Sequence, residues 1–275
     1  MSYKDKITIS ISKDLLEQID KKIDKINFKN RSNVIENFVR EGLKLKNDIW
    51  AVILAHEKMW NTGDYPMWNT PKVLMKIDWK TLIEKHLENL KNANINKAVI
   101  VVAHEKEKII NFVNSKIFWM EIEFLEVDEK DLSLKIISQA KNILETNKIL
   151  VILWDNYFYP LNLTDFIYYH NSNNADLSII VSILKDWTRY WNIILKWNDI
   201  VKFVEKPQSK EDISFLINTW IYLIDSSKIP DTTKNLKIES NFFPDFIQNA
   251  KAKAYFYNWK YFHLQDNETL KLFTK

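Results

Sequence analysis

The sequence predicts an α/β fold, a mixed and mainly parallel sheet with helices between its strands, preceded by a small strand-helix-helix module. Three observations carry that expectation. Isoleucines alternate with polar residues near the start, two amphipathic helical stretches follow, and from residue 49 onward short apolar runs alternate with segments of helical spacing.

In the first module, Lys6, Thr8, Ser10 and Ser12 alternate with Ile7, Ile9 and Ile11, the period of two of a strand with one buried face. Leu15, Leu16, Ile19, Ile23 and Ile26 then recur at helical spacing after Ser12, which stands at the N-cap, and a second helix starts at Ser32 with Val34, Ile35, Phe38, Val39 and Leu43 inside. A unit of about forty residues with one strand and two helices buries too little to fold singly, so a second copy pairing strand to strand is expected. This module is assigned to residues 1–46 and predicts a homodimer.

The polar stretch 44–48 reads as a boundary, and the larger domain is assigned to residues 49–275. AVILA at 51–55 suits a buried parallel strand, and residues 81–90 carry Leu82, Ile83, His86, Leu87 and Leu90 on one helical face. Strands are expected near 98–102, 122–125 and 149–153, separated by helices around 106–113 and 134–144, which implies right-handed crossovers. The latter third is richer in strands, at 177–184, 191–195, 201–204 and 215–224, so an antiparallel part joins the sheet. No internal repeat is visible.

Composition removes several classes of function. No apolar run approaches the ~18 residues of a membrane span, and the polar start lacks the pattern of a signal peptide, so a cytoplasmic protein with no membrane partner is expected. Cysteine is absent, which excludes disulfides, thiolate metal sites and a cysteine nucleophile. The five histidines, His56, His86, His104, His170 and His263, have no close metal-ligand spacing. Charge is uneven: the first 46 residues hold eleven Lys and Arg against seven Asp and Glu, a surplus of four, which leaves minus one on the remainder of a chain whose net charge is +3. The basic excess of the first module suits either a polyanionic partner or simple solubility.

The run KITISISKDLLEQIDKKIDKINFKNRSNVIENFVREGL resembles ribbon-helix-helix repressor domains over nearly its full length. In that family a two-stranded ribbon from the dimer enters the DNA major groove. The resemblance implies base-reading roles for Lys6, Thr8 and Ser10, and a phosphate clamp at Arg31 and Ser32, where free amides of a helix start meet an anion. The same alternation is needed merely to form a ribbon, so dimerisation with DNA binding and dimerisation alone both remain open.

The larger domain resembles the sugar-phosphate nucleotidyltransferase family from about residue 49 to the end. AVILA resembles the opening strand, PKVLMKIDWKTLIEKHLENLKNANINKAVIVV the lysine motif with its helix and second strand, VILWDN the strand before a metal aspartate, FVEKP the sugar-site word, and LINTWIYLID the strand after it. The words occur in the family's order. The resemblance implies a Rossmann-like nucleotidyltransferase domain in which a sugar 1-phosphate oxygen attacks the α-phosphorus of a nucleoside triphosphate and pyrophosphate leaves. It assigns Mg2+ as cofactor, held by Asp155; Lys72 to the triphosphate; Lys206 to the sugar phosphate; and Glu205 and Asn218 to the sugar.

Departures from the family pattern accompany the match. The opening loop, HEKMWNTGDYPMWNT, has Lys58 where an arginine should grip the triphosphate. The stretch 131–135, DLSLK, lacks the glycines of the family's base-holding turn. The second metal aspartate should stand two residues after an aromatic near the C-terminus, but Phe262 is followed by His263 and Leu264, and Asp266 is the nearby substitute. Three readings therefore stand: an enzyme of this kind, a non-catalytic relative that binds a nucleotide or sugar nucleotide and thereby regulates DNA binding by the first module, or a scaffold.

Glycine occurs only twice in 275 residues while tryptophan occurs eleven times. Trp79, Trp154, Trp191, Trp197, Trp220 and Trp259 stand where the family places glycine. Either genuine tryptophans fill an altered site, or the gene belongs to a lineage that reads the codon UGA as glycine.

Overall fold

A computed structural model describes residues 7–23, 30–42, 48–56, 71–184, 188, 190–206, 214–258 and 260–263. Residues 7–12 have no ladder partner among the described residues, and Ile7 and Ile9 are exposed. Helix α1 (Lys13–Lys22) and helix α2 (Arg31–Gly42) follow, pack on each other, and bury Ile19 and Val34; Ile23, expected inside the first helix, is instead extended just past its end, and Ile26 and Leu43 lie outside the described residues. Arg31 ties the two together through a bidentate pair with Asp20, at 2.6 and 2.8 Å.

The sheet begins at β1 (Ile49–Ala55), an almost wholly buried run. A two-residue hairpin, β2 (Lys76–Ile77) and β3 (Lys80–Thr81), leads into α3 (Leu82–Asn92). Thr81 starts this helix with a capping box: its hydroxyl accepts from the Glu84 amide at 3.4 Å, and the Glu84 carboxylate accepts from the Thr81 amide at 2.8 Å. The apolar face of α3 then buries Ile83, Leu87 and Leu90 in the core of the main sheet, as the spacing requires, while Leu82 is buried in a separate small cluster with Met75, Ile77 and Tyr157.

Next come β4 (Lys97–Val102), α4 (Lys106–Asn114), β5 (Glu121–Glu126), α5 (Ser133–Ile143) and β6 (Lys148–Leu153). Strands β5, β4, β1 and β6 are mutually parallel neighbours, buried on both faces where they are most apolar. The chain continues through β7 (Asn156–Tyr159), α6 (Leu163–Ser172), β8 (Leu177–Ile183), β9 (Trp191–Lys196), β10 (Asp199–Glu205) and β11 (Leu216–Asp225). It closes with α7 (Ile238–Asn241), α8 (Phe243–Asn249), β12 (Ala252–Phe256) and β13 (Lys260–His263).

Among the described residues, nine strands form the main sheet in the order β5-β4-β1-β6-β11-β8-β12-β10-β9. β11 runs antiparallel to both β6 and β8, β12 is parallel to β8, and β9 and β10 form an antiparallel hairpin, so the strand-rich latter third does make the sheet mixed. The pairing of β13 with β7, the helix α6 and the strand β12 were not expected from the sequence. No helix among the described residues is long and apolar enough to cross a membrane.

Candidate functional site

Sheet order reverses around β1: β4 and β5 lie on one side of it and β6 on the other, all parallel. The carboxyl ends of β1 and β6 therefore border the crevice at a switch in strand order, where open α/β sheets bind ligands. The chain leaves β1 at His56 and β6 at Trp154, whose amide donates to the Leu54 carbonyl at 3.2 Å and so carries the pairing into the turn. Asp155 follows on this rim with no exposed surface.

Three side chains hold that turn. Asn156 donates from Nδ2 to the Leu153 carbonyl at 3.3 Å and to Asp155 Oδ1 at 3.2 Å. Tyr261, on β13, donates its hydroxyl to Asn156 Oδ1 at 2.7 Å. His86, on the buried face of α3, brings Nε2 within 3.2 Å of the Trp154 carbonyl. Burial pushes this imidazole down to about 4 against the opposing pull of the Trp154 carbonyl and the Asp155 charge, so the ring is neutral near pH 7 and its Nε2–H tautomer is the one that can donate. His56 is likewise pushed down to about 4 by burial, opposed by the Asp131 backbone and charge.

β11 supplies the other side of the rim. It runs antiparallel to β6 with Ile221 opposite Ile152, so residues 218–220 lie at the edge where β6 ends. The register of β11 against β8 shifts between Asn218 and Tyr222, and Trp220 inside this bulge has φ 55. Asn218 is fully buried; its Oδ1 accepts from the Trp220 amide at 3.0 Å and its Nδ2 donates to the Tyr222 hydroxyl at 2.6 Å. Tyr222 in turn donates to Glu239 at 3.1 Å, and burial raises the Glu239 carboxyl above its ordinary value.

Of the predicted lysines, Lys72 and Lys206 lie among the described residues. Lys206 follows β10 with φ 40, its amide donating to the Tyr190 carbonyl at 3.3 Å. Glu205 pairs with Trp191, and Asn192 pairs with Ile217 next to Asn218, so the sugar-site word and the β11 bulge are linked through β9. Both Glu205 and Lys206 are exposed. Lys72 begins a short 3-10 turn over Lys72–Leu74. That turn precedes Met75, which shares a small apolar cluster with Ile77, Leu82 and Tyr157, two residues after Asp155. Lys58 and Asp266 lie outside the described residues. β13 nonetheless pairs His263 with Asn156, so the strand that leads to Asp266 ends one residue from Asp155.

Asp155 offers the hard carboxylate oxygen that a magnesium ion takes. Such an ion needs only one or two protein carboxylates, completing its shell with phosphates and water, so a cage of several acidic residues is not required. Among the described residues no group of three or more His, Cys, Asp or Glu is placed to hold a metal ion. In the first module, Thr8 and Ser10 are exposed, Lys6 lies outside the described residues, Arg31 is engaged by Asp20, and Ser32 is exposed behind Asn30, whose Oδ1 caps the Asn33 amide at 3.0 Å.

Sequence reasoning picked out Asp155 and Asn218 but not the residues that orient them. His86 carried a usable signal, a polar side chain on an otherwise apolar helical face. Tyr261 and Glu239 carried none, because each acts across more than a hundred residues or through a loop whose path the local pattern does not specify.

Comparison with known proteins follows the same lines. The chain is 26% identical over 192 residues to "Probable mannose-1-phosphate guanylyltransferase 3" of Arabidopsis thaliana, covering 67% of this chain and 57% of that protein. It is 26% identical over 190 residues to "Bifunctional protein GlmU" of Listeria monocytogenes, covering 66% of this chain and 40% of that one. The chain thus spans roughly half the length of these relatives. Its fold matches that of HddC from Yersinia pseudotuberculosis, solved in complex with GMP-PN, with a TM-score of 0.68 at 21% identity, covering 82% of this chain and 97% of that chain. The family described as Nucleotidyl transferase matches residues 68–268, well over half the chain, and the protein belongs to that family.

Proposed function

We propose that the domain of residues 49–275 transfers a nucleotidyl group from a nucleoside triphosphate to a sugar 1-phosphate and releases pyrophosphate. The observation that carries this reading is the position of Asp155, at the carboxyl end of β6, beside the switch in strand order and on the same edge as the β11 bulge. A sugar phosphate oxygen forms a bond to the α-phosphorus, the bond to the bridging oxygen of pyrophosphate breaks, and the electron pair leaves with pyrophosphate. Such a transfer needs positioning and charge neutralisation more than covalent help.

In this reading Lys72 and Lys58 hold the triphosphate, Lys206 the sugar phosphate, and Glu205 and Asn218 the sugar. Asp155 and Asp266 hold Mg2+, which when bound neutralises phosphate charge. Asn218 spends both polar ends on Tyr222 and Trp220, so it offers the sugar its remaining acceptor capacity and the shape of the bulge.

Residues 1–46 act as a ribbon-helix-helix module. Two copies pair through the segment around residues 7–11, which supports a homodimer because Ile7 and Ile9 are exposed in a single chain. The paired ribbon reads DNA with Lys6, Thr8 and Ser10, and the start of α2 at Arg31 and Ser32 meets phosphate. A second reading is supported by the stretch 131–135, where Lys135 pairs with Asp131 at 2.6 Å in place of a glycine-built base cradle. There the domain binds a nucleotide or sugar nucleotide without turnover and regulates the DNA module.

Pyrophosphate release from a panel of triphosphates and sugar 1-phosphates with Mg2+, with Asp155→Ala as control, tests the first reading. Turnover that disappears in the variant supports it. Nucleotide binding without turnover, together with ligand-dependent DNA retention, supports the second, and absence of both binding and turnover refutes both. Light scattering reads the dimer, and a salt titration separates phosphate contacts from base reading.

A further inference from the structure

Seven of the eleven tryptophans fall among the described residues, and three of those seven have left-handed backbones: Trp119 (φ 54), Trp197 (φ 61) and Trp220 (φ 55). Of the five other described non-glycine residues in this region, Glu105 and Lys206 are longer but unbranched at Cβ, and Asp78, Asn94 and Asn174 have short polar side chains that tolerate it. A bulky aromatic does not: a Cβ at positive φ meets the following carbonyl oxygen, and such residues are outliers.

Trp197, Trp220 and Trp79 lie in tight turns or a strand bulge, settings that favour a residue without a side chain. Trp197 opens the two-residue loop Trp197–Asn198 of the β9–β10 hairpin, with Lys196 paired to Asp199, and two-residue hairpins use turns that need positive φ and favour glycine beside asparagine. Trp220 sits in the bulge of β11, another setting where glycine supplies positive φ. Trp79 is the second residue of the two-residue Asp78–Trp79 turn between β2 and β3, a position where Asp-Gly is the favoured pair, while the positive φ of this turn falls on Asp78. Trp79, Trp119 and Trp197 are also 77%, 76% and 90% exposed, so their indoles fill no core. The chain meanwhile has 2 glycines, where ordinary usage of about 7% would supply many times more.

We infer that the native protein carries glycine at positions 79, 119, 197 and 220, because the codon rendered here as tryptophan is UGA and the organism reads UGA as glycine. The other tryptophans encoded by UGA are glycine for the same reason. One consequence rests on the transfer reaction proposed above: with glycine at 220, the bulge beside Asn218 presents bare main chain at the sugar side of the rim, which allows close approach of a ligand.

The test is peptide mass spectrometry of the protein isolated from its own organism. Trypsin cuts after Lys196 and Lys202, releasing residues 197–202 as WNDIVK if position 197 is tryptophan. Glycine makes that peptide lighter by one indolylmethyl group, and the peptides spanning 79, 119 and 220 shift by the same mass. Glycine at all four positions is the expected result, and tryptophan at any of the four overturns the inference. The measurement is independent of turnover, so its failure and a failure of the transfer reaction are separate results.

Discussion

The Asn218 carboxamide donates to the Tyr222 hydroxyl at 2.6 Å although the two residues are four apart on one strand. Four residues of regular strand span about 13 Å, too far for these side chains to meet. The left-handed turn at Trp220 bunches the strand and brings them together. Tyr222 then passes the constraint to Glu239, so α7 fixes the orientation of a residue on the candidate rim.

Replacing Tyr222 with Phe leaves the Asn218 amide and a Glu239 oxygen without that partner in a buried setting. The expected loss is about 1–3 kcal/mol of stability. Urea unfolding measures it, and an unchanged midpoint would show that the chain from Asn218 to Glu239 contributes nothing.

His56 and His86 predict a stability that depends on pH. Their folded values are about 4 against an ordinary 6.5, so between those values the unfolded chain binds more protons than the folded one. Stability is complete above pH ~6.5 and is lost as pH falls toward 4, by about 3 kcal/mol for each imidazole. Urea midpoints at pH 7 and pH 5 should differ in that direction, and His86→Gln should flatten the slope. A midpoint that rises on acidification would contradict this.

Thr81→Ala removes the hydroxyl half of the capping box at the start of α3. About 1 kcal/mol should be lost, with the helix content of the folded protein unchanged by circular dichroism. Restoration by Ser and not by Val would identify the hydroxyl, and not side-chain volume, as the cause.

In a chain made with tryptophan at 197, Trp197→Gly should stabilise the β9–β10 hairpin by about 1 kcal/mol, through relief of a left-handed backbone at an exposed loop. Thermal unfolding of the two chains reads the difference. A less stable glycine variant would mean that the indole makes a compensating contact.

Asp155→Asn keeps the shape of the β6–β7 turn while removing the negative charge. Pyrophosphate release should fall by about a hundredfold or more with the urea midpoint nearly preserved. Full activity in this variant would exclude Asp155 from the chemistry.

The sequence by itself determined the parallel strands β1, β4 and β6 and the helices α3, α4 and α5, because each buries a face long enough for its period to be read locally. It also placed Asp155 after a buried strand and Asn218 in another. It did not show β7, β12, β13 or α6: the strands are only four or five residues long, and α6 is rich in aromatic and polar residues, so their periodicity is weak. Tertiary structure alone decided the strand order, which sets Asp155 beside the switch around β1, and the antiparallel course of β11, which brings Asn218 to the same edge. It alone joined Tyr261 to Asn156 and Tyr222 to Glu239. The physical reason is range: hydrophobic period and capping act within a few residues, whereas the rim is made by strands that pair across most of the chain, and pairing partners leave no mark in the local pattern.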